Sequence, residues 1–150
     1  MAQLIGNQNT PYDSVLTASS FYPELKVSDF QNLFGFLKNT TEFEINNTMI
    51  VQRQIVHDQL LPLTENYQNL TERAEELFEN QETGIALYQQ AVFCFTAATL
   101  ISNRIATDAT KDAADRQDAM VSKSDALRTQ GREAIDQLLR SNSGYTVRLV

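Results

Sequence analysis

The uncharged run "GIALYQQAVFCFTAATLISN", Gly84–Asn103, decides how this chain folds. A helix crossing a bilayer needs roughly 20 predominantly apolar residues, so length alone admits a membrane span. Composition argues against it. Gln89, Gln90, Thr96, Thr99, Ser102 and Asn103 interrupt the run, and no cluster of Lys or Arg flanks it to set an orientation. The run therefore reads as a central helix, from about Glu82 to Ile105, covered by protein on most of its circumference. Leu87, Ala91, Cys94, Ala98 and Ile101 form one stripe along it, with Tyr88, Val92, Phe95 and Thr99 beside them. Ala91, Ala97 and Ala98 let neighbouring helices come close.

A hub helix needs partners, and the sequence supplies them on both sides. The next helix is expected from about Lys111 to Leu139, after the turn "ATDATKD", in which Thr107, Asp108 or Thr110 can cap it. Ala113, Met120, Leu127 and Ala134 recur every seventh residue, with Gln117, Ser124, Gly131 and Leu138 at the intervening offset. So narrow and small a seam suits packing along the central helix at a shallow angle. Upstream, Ser28 can cap a helix bearing Phe30, Leu33, Phe34 and Leu37 at i, i+3, i+4 and i+7. A second start lies at Thr41 with Glu44 three residues on, a capping box. That helix reaches about Leu60, with Phe43, Ile50, Val51, Ile55 and Leu61 as its apolar positions, and Pro62 kinks or ends it. Residues 63–83 carry break signals at Asn69, Thr71 and Asn80–Gln81 and read as a connection with one or two helical turns. The fold class is therefore all-α, a helical bundle in which a long central helix packs on a long C-terminal helix.

Both ends lie outside that pattern. Residues 1–20 are polar, contain Pro11 and show no sustained periodicity, so they are expected to form an extended N-terminal arm. "FYPEL", Phe21–Leu25, is an aromatic anchor that pins the arm to the domain. Residues 21–143 form the helical domain. At 144–150, after Gly144, "YTVRLV" alternates in the manner of a β-strand. A lone strand needs a sheet edge on a partner, because no other segment reads as a convincing strand. Tyr145, Thr146, Val147, Arg148, Leu149 and Val150 are thus candidates for strand addition, with a tail docked on its own helices as the plainer alternative.

Familiar catalytic chemistry is missing. The 5 glycines are scattered, so no phosphate loop forms. His57 and Cys94, the chain's 1 histidine and 1 cysteine, are not at metal-ligand spacing, and no cofactor is implied. His57 and Asp58 are neighbours that point different ways on a helix, and Cys94 reads as a small buried hydrophobe. The start "MAQLIGNQNTPYDS" has neither the basic nor the apolar region of a signal peptide. The net charge of -7 falls entirely on residues 1–80, which hold 11 acids and 4 bases against 8 and 8 in the remainder. An acidic half does not attract phosphate backbones; the same sign suits a surface that DNA passes without sticking and equally suits ordinary solubility, which charge alone does not separate. If the chain proves to line a DNA passage, as an adaptor would, Glu42, Glu44, Asp58 and Glu65 of the second-helix region are the candidates for that face.

"YQQAVFCFTAATL", "TDATKDAADRQD", "KSDALRTQGREAIDQL" and the terminal "YTVRLV", in this order, resemble the head completion proteins of P2-like tailed phages. The matching positions are Phe21, Tyr22 and Pro23; Tyr88, Ala91 and Val92; Asp108 and Thr110; Leu127, Arg128, Ala134 and Ile135; and Val147 to Val150. "HDQLLP" and the absence of Trp depart from the family pattern. The resemblance implies a virion protein at the head–tail interface, made in the host cytoplasm. It implies a homo-oligomeric ring, a dodecamer, beneath the portal protein, which extends the DNA channel and docks the tail completion or terminator protein. From another class, a small acidic helical chaperone for phage assembly or secretion is the rival reading.

Overall fold

The computed structural model describes residues 10–35, 39–107 and 111–140. The tail Tyr145–Val150, Leu37 and the turn residues Asp108 and Thr110 lie outside the described residues. Two short strands, β1 (Val15–Leu16) and β2 (Leu25–Lys26), precede six helices among those residues. The helices are α1 (Val27–Leu33), α2 (Glu42–Gln59), α3 (Leu61–Asn66), α4 (Leu70–Phe78), α5 (Gln81–Thr107) and α6 (Lys111–Leu139).

Helix α5 is the hub. It packs against α2, α4 and α6, the last along most of its length. Tyr88, Ala91, Val92, Phe93, Ala97 and Ala98 have no exposed surface. The helix is long and apolar enough to cross a membrane by length and composition, but 67% of its apolar window is buried within the protein. Protein contacts thus occupy the surface that lipid would need. On α6, Leu127, Ala134 and Leu138 are buried on the expected seam, and Gly131 lets the Phe95 ring lie directly on the backbone. Polar links also cross the seam. Ser124 Oγ donates to the Ala98 carbonyl at 3.2 Å, and Arg128 donates to Ser102 Oγ at 3.4 Å.

Chemistry at the helix ends explains where the other elements break. Thr41 Oγ1 accepts from the Glu44 amide at 3.2 Å, which is the predicted cap of α2. Pro62 sits in the first turn of α3, where its missing N–H costs nothing, so the chain bends after α2 and resumes as helix. Residues 63–83 differ from the expected connection, because most of them are helical. Asn69, read as a break, caps α4 by accepting from the Glu72 amide at 2.8 Å. Asn80 likewise accepts from the Glu82 amide at the start of α5. Helix α1 starts at Val27 with no side-chain cap, so Ser28 is not its N-cap, and the helix ends at Leu33. Of the described residues of its predicted apolar line, only Phe30 is fully buried, against Phe93 in an edge contact at 5.7 Å; Leu33 is exposed.

The described part of the arm lies on its own domain. β1 pairs antiparallel with β2, Leu16 opposite Leu25, and both side chains enter the core. The expectation that no other segment forms a strand is therefore corrected: a two-residue pairing suffices where each strand buries one leucine. Tyr12 Oη donates to the Thr40 carbonyl at 2.9 Å, and Arg53 donates to the Thr17 carbonyl at 3.3 Å.

Candidate partner-binding surface

Helix α2 carries apolar side chains on two opposite sides. Ile45, Met49, Val56 and the C-capping Leu60 face the core with no more than 1% exposure. The residues that the sequence pattern picked out as its apolar positions are instead outside. Phe43 is 72% exposed and Val51 56%, with Ile50 and Ile55 also exposed; Leu61, at the start of α3, is 58% exposed. At 3.6 residues per turn, Phe43 and Ile50 lie on one line, opposite the buried one. Solvated large apolar side chains grouped on one face are the mark of a surface that is covered in an assembly.

The four carboxylates singled out from the sequence do different work. Glu42 is half-buried and accepts from both the Ser14 amide (3.0 Å) and Ser14 Oγ (2.6 Å), so it ties the arm to α2. Glu44 completes the capping box by accepting from Thr41 Oγ1 at 3.2 Å. Asp58 is exposed and accepts from Gln54 at 2.9 Å, and Glu65 is exposed on α3. Glu44, Val51 and Asp58 follow one another at seven-residue spacing, so two of the carboxylates edge the outer apolar line of α2. Farther on, α4 turns Glu72, Glu75 and Glu76 toward a shallow open depression with Asn69, Thr71 and Gln81.

Behind α2 lies a buried aromatic stack that sequence reasoning did not find. The Tyr22 and His57 rings lie face to face at 3.8 Å and 9°, and Tyr22 stacks on Tyr88 at 4.9 Å. His57 Nε2 and Tyr88 Oη are 2.6 Å apart. Burial holds the imidazole down to about 4, with nearby Arg53 adding to the effect and Asp58 opposing it. Burial also pushes the Tyr22 phenol up to about 12 and raises Tyr88. Neither phenol is an acid near neutral pH, and the neutral ring acts as the glue between α2, α5 and the arm. The signal was present in the sequence only as the aromatic pair Phe21–Tyr22. Nothing in it named His57 as the partner. Cys94 is buried, with its thiol pushed up to about 11 by burial, as befits a packing residue. No group of three or more His, Cys, Asp or Glu side chains that could hold a metal occurs among the described residues.

The C-terminus of α6 is held by a buried cation. Arg73 on α4, 5% exposed, donates through Nε to the Leu138 carbonyl at 3.0 Å and through Nη2 to the Arg140 carbonyl. Nη1 donates to Tyr67 Oη at 2.9 Å, and the guanidinium lies 5.3 Å from the Tyr67 ring centroid. Carbonyls at a helix C-terminus lack intrahelical donors and carry partial negative charge, so a guanidinium fork suits them. The end of α6, through Arg140, is thereby fixed on α4.

An all-α block with a buried hub helix, an apolar outer helix face and a last helix clamped at its C-terminus suits an assembly component. The chain belongs to the phage head completion protein (GPL) family, whose model matches residues 16–150. It is a structural protein of phage head assembly, a virion component that interacts with other phage head and tail proteins. No curated protein and no solved structure matches the chain.

Proposed function

We propose that this head completion protein is the head-to-tail adaptor of a P2-like phage. In this reading it forms a ring beneath the portal, twelve-fold by the family resemblance, at the head–tail interface. The ring lengthens the DNA channel, retains the packaged genome and offers its far side to the tail completion or terminator protein. Tyr145–Val150 carries the portal contact by adding a strand to a sheet edge, where main-chain hydrogen bonds give affinity and alternate side chains give specificity. The observation that carries the reading is the Arg73 clamp: a tail that starts from a fixed point can be aimed at a partner. The like charge that keeps DNA sliding is supplied by Glu65 with Glu72, Glu75 and Glu76 on α3 and α4. Glu42 is occupied by the arm, and Glu44 and Asp58 edge an apolar face, which suits a protein contact better than a channel wall.

Purified portal rings mixed with the full chain, and with a chain ending at Ser143, test the reading by size separation. Comigration of the full chain alone supports the tail as anchor. Comigration of both moves the contact onto the helical domain, and binding by neither to portals or to filled heads refutes the adaptor.

A further inference from the structure

The outer face of α2 is laid out symmetrically along the helix. Between Glu44 and Asp58 its exposed residues are Asn47, Ile50, Val51, Gln54 and Ile55, none of them charged, and Arg53 is drawn aside to the Thr17 carbonyl. About the midpoint between Gln52 and Arg53, Ile50 mirrors Ile55, Val51 mirrors Gln54 and Asn47 mirrors Asp58. At the two ends Phe43, 72% exposed, mirrors Pro62, and Glu44 mirrors Leu61, 58% exposed. At 3.6 residues per turn, the mirror pairs within α2 straddle one line along the helix, and that line lies opposite the buried Ile45, Met49 and Val56. A two-fold contact needs this layout, because each residue on one copy must meet its mirror on the other.

We infer that the free chain forms a two-fold dimer in which α2 packs antiparallel on α2 of a second copy, Val51 facing Gln54 and Asn47 facing Asp58. The mirror layout names a second copy as the occupant of the exposed face, and charge selects the orientation. Parallel packing in register would set Glu44 on Glu44 and Asp58 on Asp58, and like charges brought together weaken a contact. The antiparallel register sets Glu44 against Leu61 and gives the Asp58 carboxylate the Asn47 amide as a donor. Ile50 and Ile55 close the two flanks. Helix α2 has 18 residues, so the contact is about 27 Å long, at the low end of specific interfaces, which begin near 1,000 Å² in total. Association in the micromolar range follows. An isologous contact closes on itself, so it stops at the dimer and describes the chain before assembly. It goes beyond the ring reading, whose contacts are others, and the two fail independently.

The test uses the full chain in sedimentation equilibrium up to its solubility limit. Wild type is expected to pass from monomer to dimer and no further. Val51 is 56% exposed, so Val51→Glu folds, as a thermal melt within a few degrees of wild type will verify. Standing next to the two-fold axis, it should weaken the dimer by about tenfold or more. Asn47→Asp faces Asp58 with a like charge and should also weaken it, whereas Asn47→Lys offers that carboxylate a cation and should tighten it several-fold. Val121→Glu, on the exposed side of α6, should change nothing. Orientation is read by oxidising an equal mixture of Val51→Cys and Gln54→Cys chains. The mixed disulfide should predominate by mass spectrometry, and the buried Cys94 does not compete.

A wild type that stays monomeric up to its solubility limit overturns the inference. So does undiminished association of Val51→Glu, tightening by Asn47→Asp or loosening by Asn47→Lys. Predominant Val51→Cys homodimers would show parallel packing and overturn it as well. Portal binding by Val51→Glu, measured separately, tells whether the adaptor reading stands.

Discussion

Gly84 near the start of α5 lies against Ala74 of α4, and the hairpin of these two helices has no room for another methyl there. A Cβ placed at Gly84 would come closer than 3.0 Å to the Ala74 Cβ, while Ala74 Cα and the Leu70 carbonyl oxygen lie at 3.6 Å. Neither alanine has a rotamer to escape through, so the helices must part. Overpacking of this kind costs up to about 3 kcal/mol, and replacing a helical glycine with alanine returns about 1 kcal/mol. Gly84→Ala is therefore expected to destabilise the fold by about 2 kcal/mol. For a chain of this size that lowers the melting temperature by about 4–8 °C.

Ala74→Gly alone should also cost about 2 kcal/mol, from the lost buried methyl and the added helical glycine. Joined, the two changes move one methyl across the interface into ordinary contact at 3.6 Å, and the double variant should return close to wild type. The assay is urea unfolding of all four proteins, read as a double-mutant cycle with a coupling of at least about 2 kcal/mol. Gly35→Ala, where a Cβ meets nothing within 4 Å, is the control. Gly84→Ala matching or exceeding wild type in stability, or a cycle that closes additively, would refute the close approach of α4 and α5.

Three further outcomes are expected. His57 binds its proton near pH 4 in the folded chain and near its ordinary 6.5 when unfolded, so the unfolded state takes up more protons between those values. Stability present above pH 6.5 is thus lost as pH falls toward 4, by about 2 kcal/mol after discounting for solvent around the half-buried ring. The chain's 1 histidine gives one unambiguous pair of ring C–H resonances by NMR, and a midpoint near 6.5 would contradict the stack; His57→Gln should flatten the slope. Tyr22 Oη is buried without a hydrogen-bond partner, so Tyr22→Phe should stabilise the fold by about 1 kcal/mol in urea unfolding. Glu79 closes α4 at φ 57°, a conformation glycine adopts without strain, so Glu79→Gly should raise the melting temperature by a few degrees, equivalent to about 1 kcal/mol.

Much of this architecture was written in local pattern. A run of 20 residues without charge from Gly84 to Asn103 can be tolerated in a folded chain only if protein covers it, and it became the hub α5. The seven-residue seam from Met120 through Leu127 to Ala134 predicted α6 over its observed span, Lys111–Leu139, because a narrow stripe of small residues has one way to pack. The Thr41–Glu44 box marked the start of α2, since capping is a contact among near neighbours in the chain. The family resemblance, carried mainly by the second half, was legible in part for the same reason: Tyr88, Ala91, Val92, Leu127, Arg128, Ala134 and Ile135 sit on these two long helices.

Only the tertiary structure decided which face of α2 is buried. Periodicity identifies apolar lines but not which of two lines meets the core, and here Ile45, Met49 and Val56 won over Phe43, Ile50 and Val51. Asn69 and Asn80 looked like breaks and proved to be caps, because the same side chain stops one helix and starts another. Long-range pairings had no local trace at all: Tyr22 on His57, Glu42 on Ser14, and Arg73 on the last carbonyls of α6, 65 residues away. Sequence spacing fixes what neighbours along a helix can do, whereas contacts between distant segments exist only once the hub has gathered the other elements around it.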